Sequence, residues 1–226
     1  MKIFDEIILV PGGGNSYLIE REQECVLIDT GMSKKASKLI KAINSNFPYK
    51  PLEVIIITHS HQDHRAGLET LRKLYEPSII AHEEESPYIE KTKELPSLGG
   101  FGGFMIKMFE RMLGIPGSKI DQEVVDKEVV YGLQVMHLPG HTPGTIALFD
   151  IENQALFCGD IINADKKGKK ILPPKKDYAL DYKQALKSSL RMLDKTSPSV
   201  ILPGHGSPIL EPEEAIKAYL DEYGKV

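Results

Sequence analysis

Two periods run through the hydrophobic positions of the chain. Short runs rich in Val, Ile and Leu predict strands over 2–10, 15–20, 25–29, 54–58, 78–81, 123–125, 129–138, 145–150, 155–158 and 200–202. Between several of them, apolar residues fall three and four apart, the spacing of a helix face. Ala36, Leu39, Ile40 and Ile43 form one such face, with Ser33 as the expected cap and Pro48 and Pro51 as the stop. Ala66, Leu68, Leu71 and Leu74 form another over 65–75, closed by Pro77. Leu186, Leu190 and Leu193 mark a helix over 180–193, and 212–223 reads as the last. Residues 171–174 read as irregular. The run Val54-Ile55-Ile56-Ile57 is β-branched throughout, which suits a strand covered on both faces. Strands and helices, then strands and helices again, predict an α+β fold of two sheets packed together with helices on both outer faces.

One segment breaks the rhythm. Glu83-Glu84-Glu85 is followed by a glycine-rich stretch from Pro96 to Gly103. Phe104, Met105, Met108, Phe109, Met112 and Leu113 then fall at helical spacing. This predicts a helical, cap-like insertion at about 84–122 in one domain spanning 1–226. An amphipathic helix on the domain, an adaptable cap over a site, and a homodimer face all fit it.

Composition narrows the partners. A net charge of −4 offers no basic excess, which argues against nucleic acid as the main partner. Lys166-Lys167-Gly168-Lys169-Lys170 reads as a solvated loop. Cys25 and Cys158 cannot build a disulfide framework, and both sit in strand-like runs as small buried hydrophobes. Asp5 and Glu6 interrupt the first apolar stretch, unlike a signal peptide, and no run approaches the ~20 apolar residues of a membrane span. A cytoplasmic location without a membrane partner is expected.

The chemistry concentrates at His59-Ser60-His61-Gln62-Asp63-His64, which follows the 54–58 strand and precedes a helix. Imidazole and carboxylate are the ligand types that hold zinc and similar divalent ions. Strand carboxyl ends are where open α/β sheets place ligands. Three further candidates follow strands: His141 in Pro139-Gly140-His141-Thr142-Pro143-Gly144, Asp160 in Cys158-Gly159-Asp160, and His205 in Pro203-Gly204-His205-Gly206. Each has glycine beside it, which allows close approach to a bound group. Alone, each is weak; together, five of the seven histidines lie at strand ends, leaving only His82 and His137, which read as structural.

This set, in this order, resembles the metallo-β-lactamase-fold hydrolases, and the likeness extends to Asp29-Thr30-Gly31, to Thr58 and to the Pro-Gly-His turns. The resemblance implies an αββα four-layer sandwich with two mixed sheets and a two-metal site. It implies that His59, His61 and His141 hold one ion, that Asp63, His64 and His205 hold the other, and that Asp160 bridges them. Asp29 would support the site from behind the ligands. Two ions about 3.5–4 Å apart share a hydroxide as nucleophile at neutral pH. Asp63, besides ligating, would orient that nucleophile or relay a proton. Zinc is the expected metal; iron or manganese suits the same donors.

Departures narrow the group. β-Lactamases of this fold lack an aspartate at the place of Asp160, and His61 stands where flavodiiron enzymes carry glutamate. The spacing is most similar to the glyoxalase-II-like thioesterases and their lactonase relatives. The helical carboxyl-terminal region by which hydroxyacylglutathione hydrolases grip glutathione is largely missing after His205. The lactonase tyrosine three residues past the bridging aspartate is Asn163 here. Tyr178 and Tyr182 either reach the site or serve structure, the second being expected. The resulting expectation is a hydrolase of a small-molecule ester, thioester or lactone. Phosphodiester cleavage, an iron-dependent persulfide dioxygenase and a metal-stabilised binding module are the alternatives.

Overall fold

In the computed structural model, which describes residues 1–4, 6–96, 98, 108 and 111–224, the chain forms two units. The first comprises Met1–Leu95 and Met105–Val124, the second Pro96–Phe104 and Val125–Val226.

A mixed sheet organises the first unit. Its strands are β1 (Ile7–Val10), β2 (Ser16–Glu20), β3 (Cys25–Ile28), β4 (Leu52–Ile56), β5 (Ser78–His82) and β6 (Gln122–Val124), neighbours in that order. β1, β2 and β3 pair antiparallel; β3 to β6 run parallel. The helices are α1 (Ser37–Asn46), α2 (Gln62–Arg65), α3 (Leu68–Tyr75) and α4 (Ser86–Ile89). Leu18, Leu27, Ile55 and Ile79 pack in one cluster with Leu39, Ile43, Leu68 and Leu71. Val26, Ile28, Val54, Ile56 and Ile80, the alternate strand residues, are buried too. Both faces are out of water, as the β-branched run requires, and each such side chain contributes about 1.5–3 kcal/mol.

The second unit holds β7 (Val129–Val130), β8 (Leu133–His137), β9 (Ile146–Asp150), β10 (Ala155–Gly159) and β13 (Val200–Pro203), with α5 (Tyr182–Lys195) and α6 (Glu213–Tyr223). The sheet order is β13-β10-β9-β8-β7, with β10 and β13 parallel and the rest antiparallel. β11 (Asn163–Ala164) and β12 (Ile171–Leu172) form a separate pair. Leu156, Cys158 and Ile201 pack with Ala185, Leu186, Met192 and Tyr219 from the two helices. Two mixed sheets with helices, as the sequence led one to expect, are therefore present.

Several local readings need correction. Ser33 does not cap α1 with its side chain; Ala36 occupies the cap in a left-handed conformation (φ 48°), and only the Ser33 carbonyl takes part, accepting the Ala36 N–H. The helix expected over 65–75 is two, broken at Ala66-Gly67, and Leu74 is exposed. The strand expected over 129–138 is the β7–β8 hairpin, because Tyr131 and Gly132 both take positive φ and turn the chain. Ile171–Leu172 is a short strand, not irregular. Phe104, Met105 and Phe109 lie outside the described residues; Met108 and Met112 are exposed. Cys25 and Cys158 are buried free thiols, and burial raises both pKa values, that of Cys25 to about 12. His82 and His137 serve structure, His82 Nδ1 accepting the Glu84 N–H and His137 Nε2 meeting the Pro143 carbonyl. Tyr182 packs on the second core, while Tyr178 is exposed with the Lys175 ammonium over its ring. No helix among the described residues is long and apolar enough to cross a membrane.

Candidate metal centre

In the first unit, β4 ends one residue before Ile57-Thr58, and the chain then turns into α2. His59 is fully buried and His64 likewise; His61 caps α2 in an extended conformation, and Asp63 sits in its first turn. Extended backbone at His61 followed by one helical turn gathers four candidate ligands from six residues. The His59 ring lies 4.8 Å from that of His61 and 4.1 Å from that of His64, centroid to centroid. Asp63 Oδ2 is 3.9 Å from His64 Nε2.

What orients two of these rings, those of His59 and His64, is Asp29. It follows β3 in a left-handed conformation (φ 57°), a strained geometry for a non-glycine residue. Its carboxylate accepts the Thr58 N–H at 2.8 Å, the Thr58 hydroxyl at 2.8 Å and His64 Nδ1 at 2.7 Å. The Thr58 hydroxyl spends its one proton on Asp29, so its contact with His59 Nδ1 at 3.1 Å has the imidazole as donor. Protons on both Nδ1 atoms leave Nε2 of His59 and His64 as lone-pair donors. Fixing a ligand histidine's tautomer through its other nitrogen is the usual arrangement at metal sites. Thr30 holds the Asp29 turn against α2, its N–H donating to the His64 carbonyl at 2.6 Å.

Gly14, in the turn between β1 and β2, belongs to the same half-site. A Cβ there would lie 2.5 Å from the Asp63 carbonyl oxygen and 3.1 Å from His64 Nε2. Only glycine lets the β1–β2 turn approach this closely.

The second unit brings together His141, Asp160 and His205. Asp160 Oδ2 is 3.3 Å from His205 Nε2 and 3.7 Å from His141 Nε2. Here the backbone does the positioning. His141 follows β8 in a turn closed by the Gly140 N–H donating to the Thr142 carbonyl and by the Thr142 N–H donating to Thr145 Oγ1. The N–H groups of Asp181 and Leu180 donate to the carbonyls of Gly140 and His141. Gly140 has φ 127°, and a Cβ on it would meet Ala185 N at 2.2 Å. Asp160 follows a bulge at the end of β10, where the Gly204 N–H donates to the Gly159 carbonyl at 2.7 Å. Nitrogen and carboxylate donors of this kind suit zinc, iron or manganese.

The profile of the Metallo-beta-lactamase superfamily matches residues 9–205. The chain belongs to the metallo-beta-lactamase superfamily. It is 25% identical to the probable metallo-hydrolase YybB of Bacillus subtilis, over 92% of this chain and 88% of that one. It is 27% identical to the hydroxyacylglutathione hydrolase GloC of Haemophilus influenzae, over 85% of this chain and 84% of that one. Among solved structures, TTHA1623 in a di-iron-bound form superposes with a TM-score of 0.65 at 26% identity, covering 90% of this chain and 92% of that one. The metallo-β-lactamase fold expected from the residues is thus the fold of this chain.

Proposed function

We propose that this protein is a dinuclear metal-dependent hydrolase of a small carboxylic ester, thioester or lactone. In this reading His59, His61 and His141 hold one ion, Asp63, His64 and His205 the other, and Asp160 serves both. The observation that carries it is the Asp29–Thr58 network, which presents two buried imidazole Nε2 atoms as ligands in a chain that keeps every other ligand of the set. A pair of divalent ions there would activate water at neutral pH and polarise the carbonyl under attack.

The chain's own groups supply the rest. Asp29 keeps His59 and His64 in one tautomer and one orientation throughout a turnover. Asp63, with a quarter of its side chain exposed, holds one carboxylate oxygen for ligation and offers the other as acceptor of a proton from water, which it then hands to the leaving group. A cavity of ≈ 400 Å³ lined by Val10, Gly13, Met32, Ala36 and Leu39 adjoins the turn that bears Gly14, and its size and apolar walls suit an acyl chain. GloC supports an acyl substrate, and TTHA1623 supports iron as an alternative to zinc.

The test is a substrate panel run with metal quantification: p-nitrophenyl acyl esters, thioesters, lactones and bis(p-nitrophenyl) phosphate. Acyl turnover well above phosphodiester turnover, lost in His61→Ala, is the expected result. Phosphodiester turnover far above acyl turnover would replace this reading with a phosphodiesterase.

A further inference from the structure

Between the two ligands His59 and His61 stands Ser60, and the peptides on either side of it are each held by a buried charged group. The Ser60 N–H donates to Glu85 Oε1 at 2.7 Å, and the Ser60 carbonyl accepts from Arg65 Nε at 2.8 Å. Glu85 is fully buried and Arg65 is 4% exposed. A carboxylate on the N–H and a guanidinium on the carbonyl are charge-assisted bonds, about twice as strong as neutral ones; the first fixes the plane of the His59–Ser60 peptide, the second that of the Ser60–His61 peptide. Those two planes set the angles at which the two neighbouring imidazoles leave the backbone. None of the candidate ligands needs Glu85 or Arg65 to complete its donor set.

Both anchors reach into the segment expected as an insertion. Glu85 opens α4, and Arg65 Nη1 donates to the Pro116 carbonyl at 2.9 Å. The described ends of the segment are tied down nearby: the Ile120 N–H donates to Glu90 Oε1 at 2.9 Å, and Ser118 Oγ donates to Glu69. Residues 85 and 116 thus meet the ligand turn through the Ser60 N–H and a single guanidinium.

We infer that Glu85 and Arg65 are positioning residues that clamp the two peptides flanking Ser60, hold His59 and His61 at metal-binding geometry, and couple the 84–122 segment to the metal. This rests on the metal reading above. It gives the segment a role that neither a cap nor a dimer face requires: its two ends buttress the ligand turn.

Zinc affinity, measured by competition with a chromophoric chelator, tests it without reference to turnover. Glu85→Ala is expected to weaken zinc binding about tenfold or more. Glu85→Gln, whose amide oxygen still accepts the Ser60 N–H, should recover most of the loss. Arg65→Lys should weaken binding, because an ammonium cannot serve the Ser60 and Pro116 carbonyls with guanidinium geometry. Ile89→Ala, a core truncation in the same helix, should lower thermal stability and leave zinc affinity unchanged. Wild-type affinity in Glu85→Ala overturns the clamp, and so does an Ile89→Ala loss as large as that of Glu85→Ala. If Glu85→Ala does not fold, unchanged affinity in Arg65→Lys overturns it. A wild-type chain that binds no zinc overturns the metal reading itself, a result distinct from any of these.

Discussion

The two groups of candidate ligands are built by opposite means. In the first unit, side chains do the holding: Asp29 and Thr58 fix two imidazoles, while Glu85 and Arg65 each hold one of the peptides flanking Ser60. In the second unit, main-chain N–H groups do much of the holding, joined by the Thr145 hydroxyl. His141 and Asp160 are aimed by turns whose glycines take positive φ and whose carbonyls are bonded by neighbouring N–H groups. The difference decides what a substitution costs. A support made of side chains can be trimmed one hydrogen bond at a time with the fold intact. A support made of backbone fails with the fold.

The sharpest way to break this contrast is to remove one ligand from each region. His61→Ala and Asp160→Ala should each lower acyl-ester turnover roughly a thousandfold, about 4 kcal/mol of transition-state stabilisation. A difference of more than an order of magnitude between them would mean that the regions do not serve one reaction equally. Next comes Gly140→Ala. Forced into φ 127° with its Cβ 2.2 Å from a backbone nitrogen, it should cost about 3 kcal/mol or more of stability, seen as a lower thermal midpoint. Asp29→Ala is its counterpart: metal affinity falls by roughly 10–100-fold while the apo chain stays folded. Thr58→Val, which interrupts only the relay to His59, should fall at or below the lower end of that range, about tenfold or less.

The smallest effect concerns the thiols. With Cys25 held near pKa 12 by burial and Cys158 raised further in the same direction, almost no thiolate exists below pH 9. The native protein should resist alkylation at pH 8 and react fully once denatured. Alkylation of either thiol in the folded chain would place it outside the core.

Much of this was legible in the residues. The β-branched run at 54–57 announced a strand buried on both faces, and the imidazole-carboxylate cluster at its end marked the turn that carries four of the candidate ligands. What patterning missed has a common cause. Gly14 looks like one more turn glycine, and only its contact with His64 gives it a role. Glu85 closes an acidic triplet, and such runs ordinarily face water; its burial follows from a partner 25 residues away. The Tyr131-Gly132 turn was hidden inside an apolar stretch, since period alone does not record a change of φ. Side chains whose purpose is set by a distant partner leave no periodic trace.

The central claim is that the two groups of ligands hold two ions together. Metal-to-chain ratios by mass spectrometry after zinc loading test it most directly, comparing wild type with His141→Ala and His205→Ala. The expected result is about two ions per wild-type chain and a clear loss in each variant, because each lacks one ligand from the second unit. Wild-type ratios in both variants would contradict the account, because the first unit would then be holding whatever metal the protein binds.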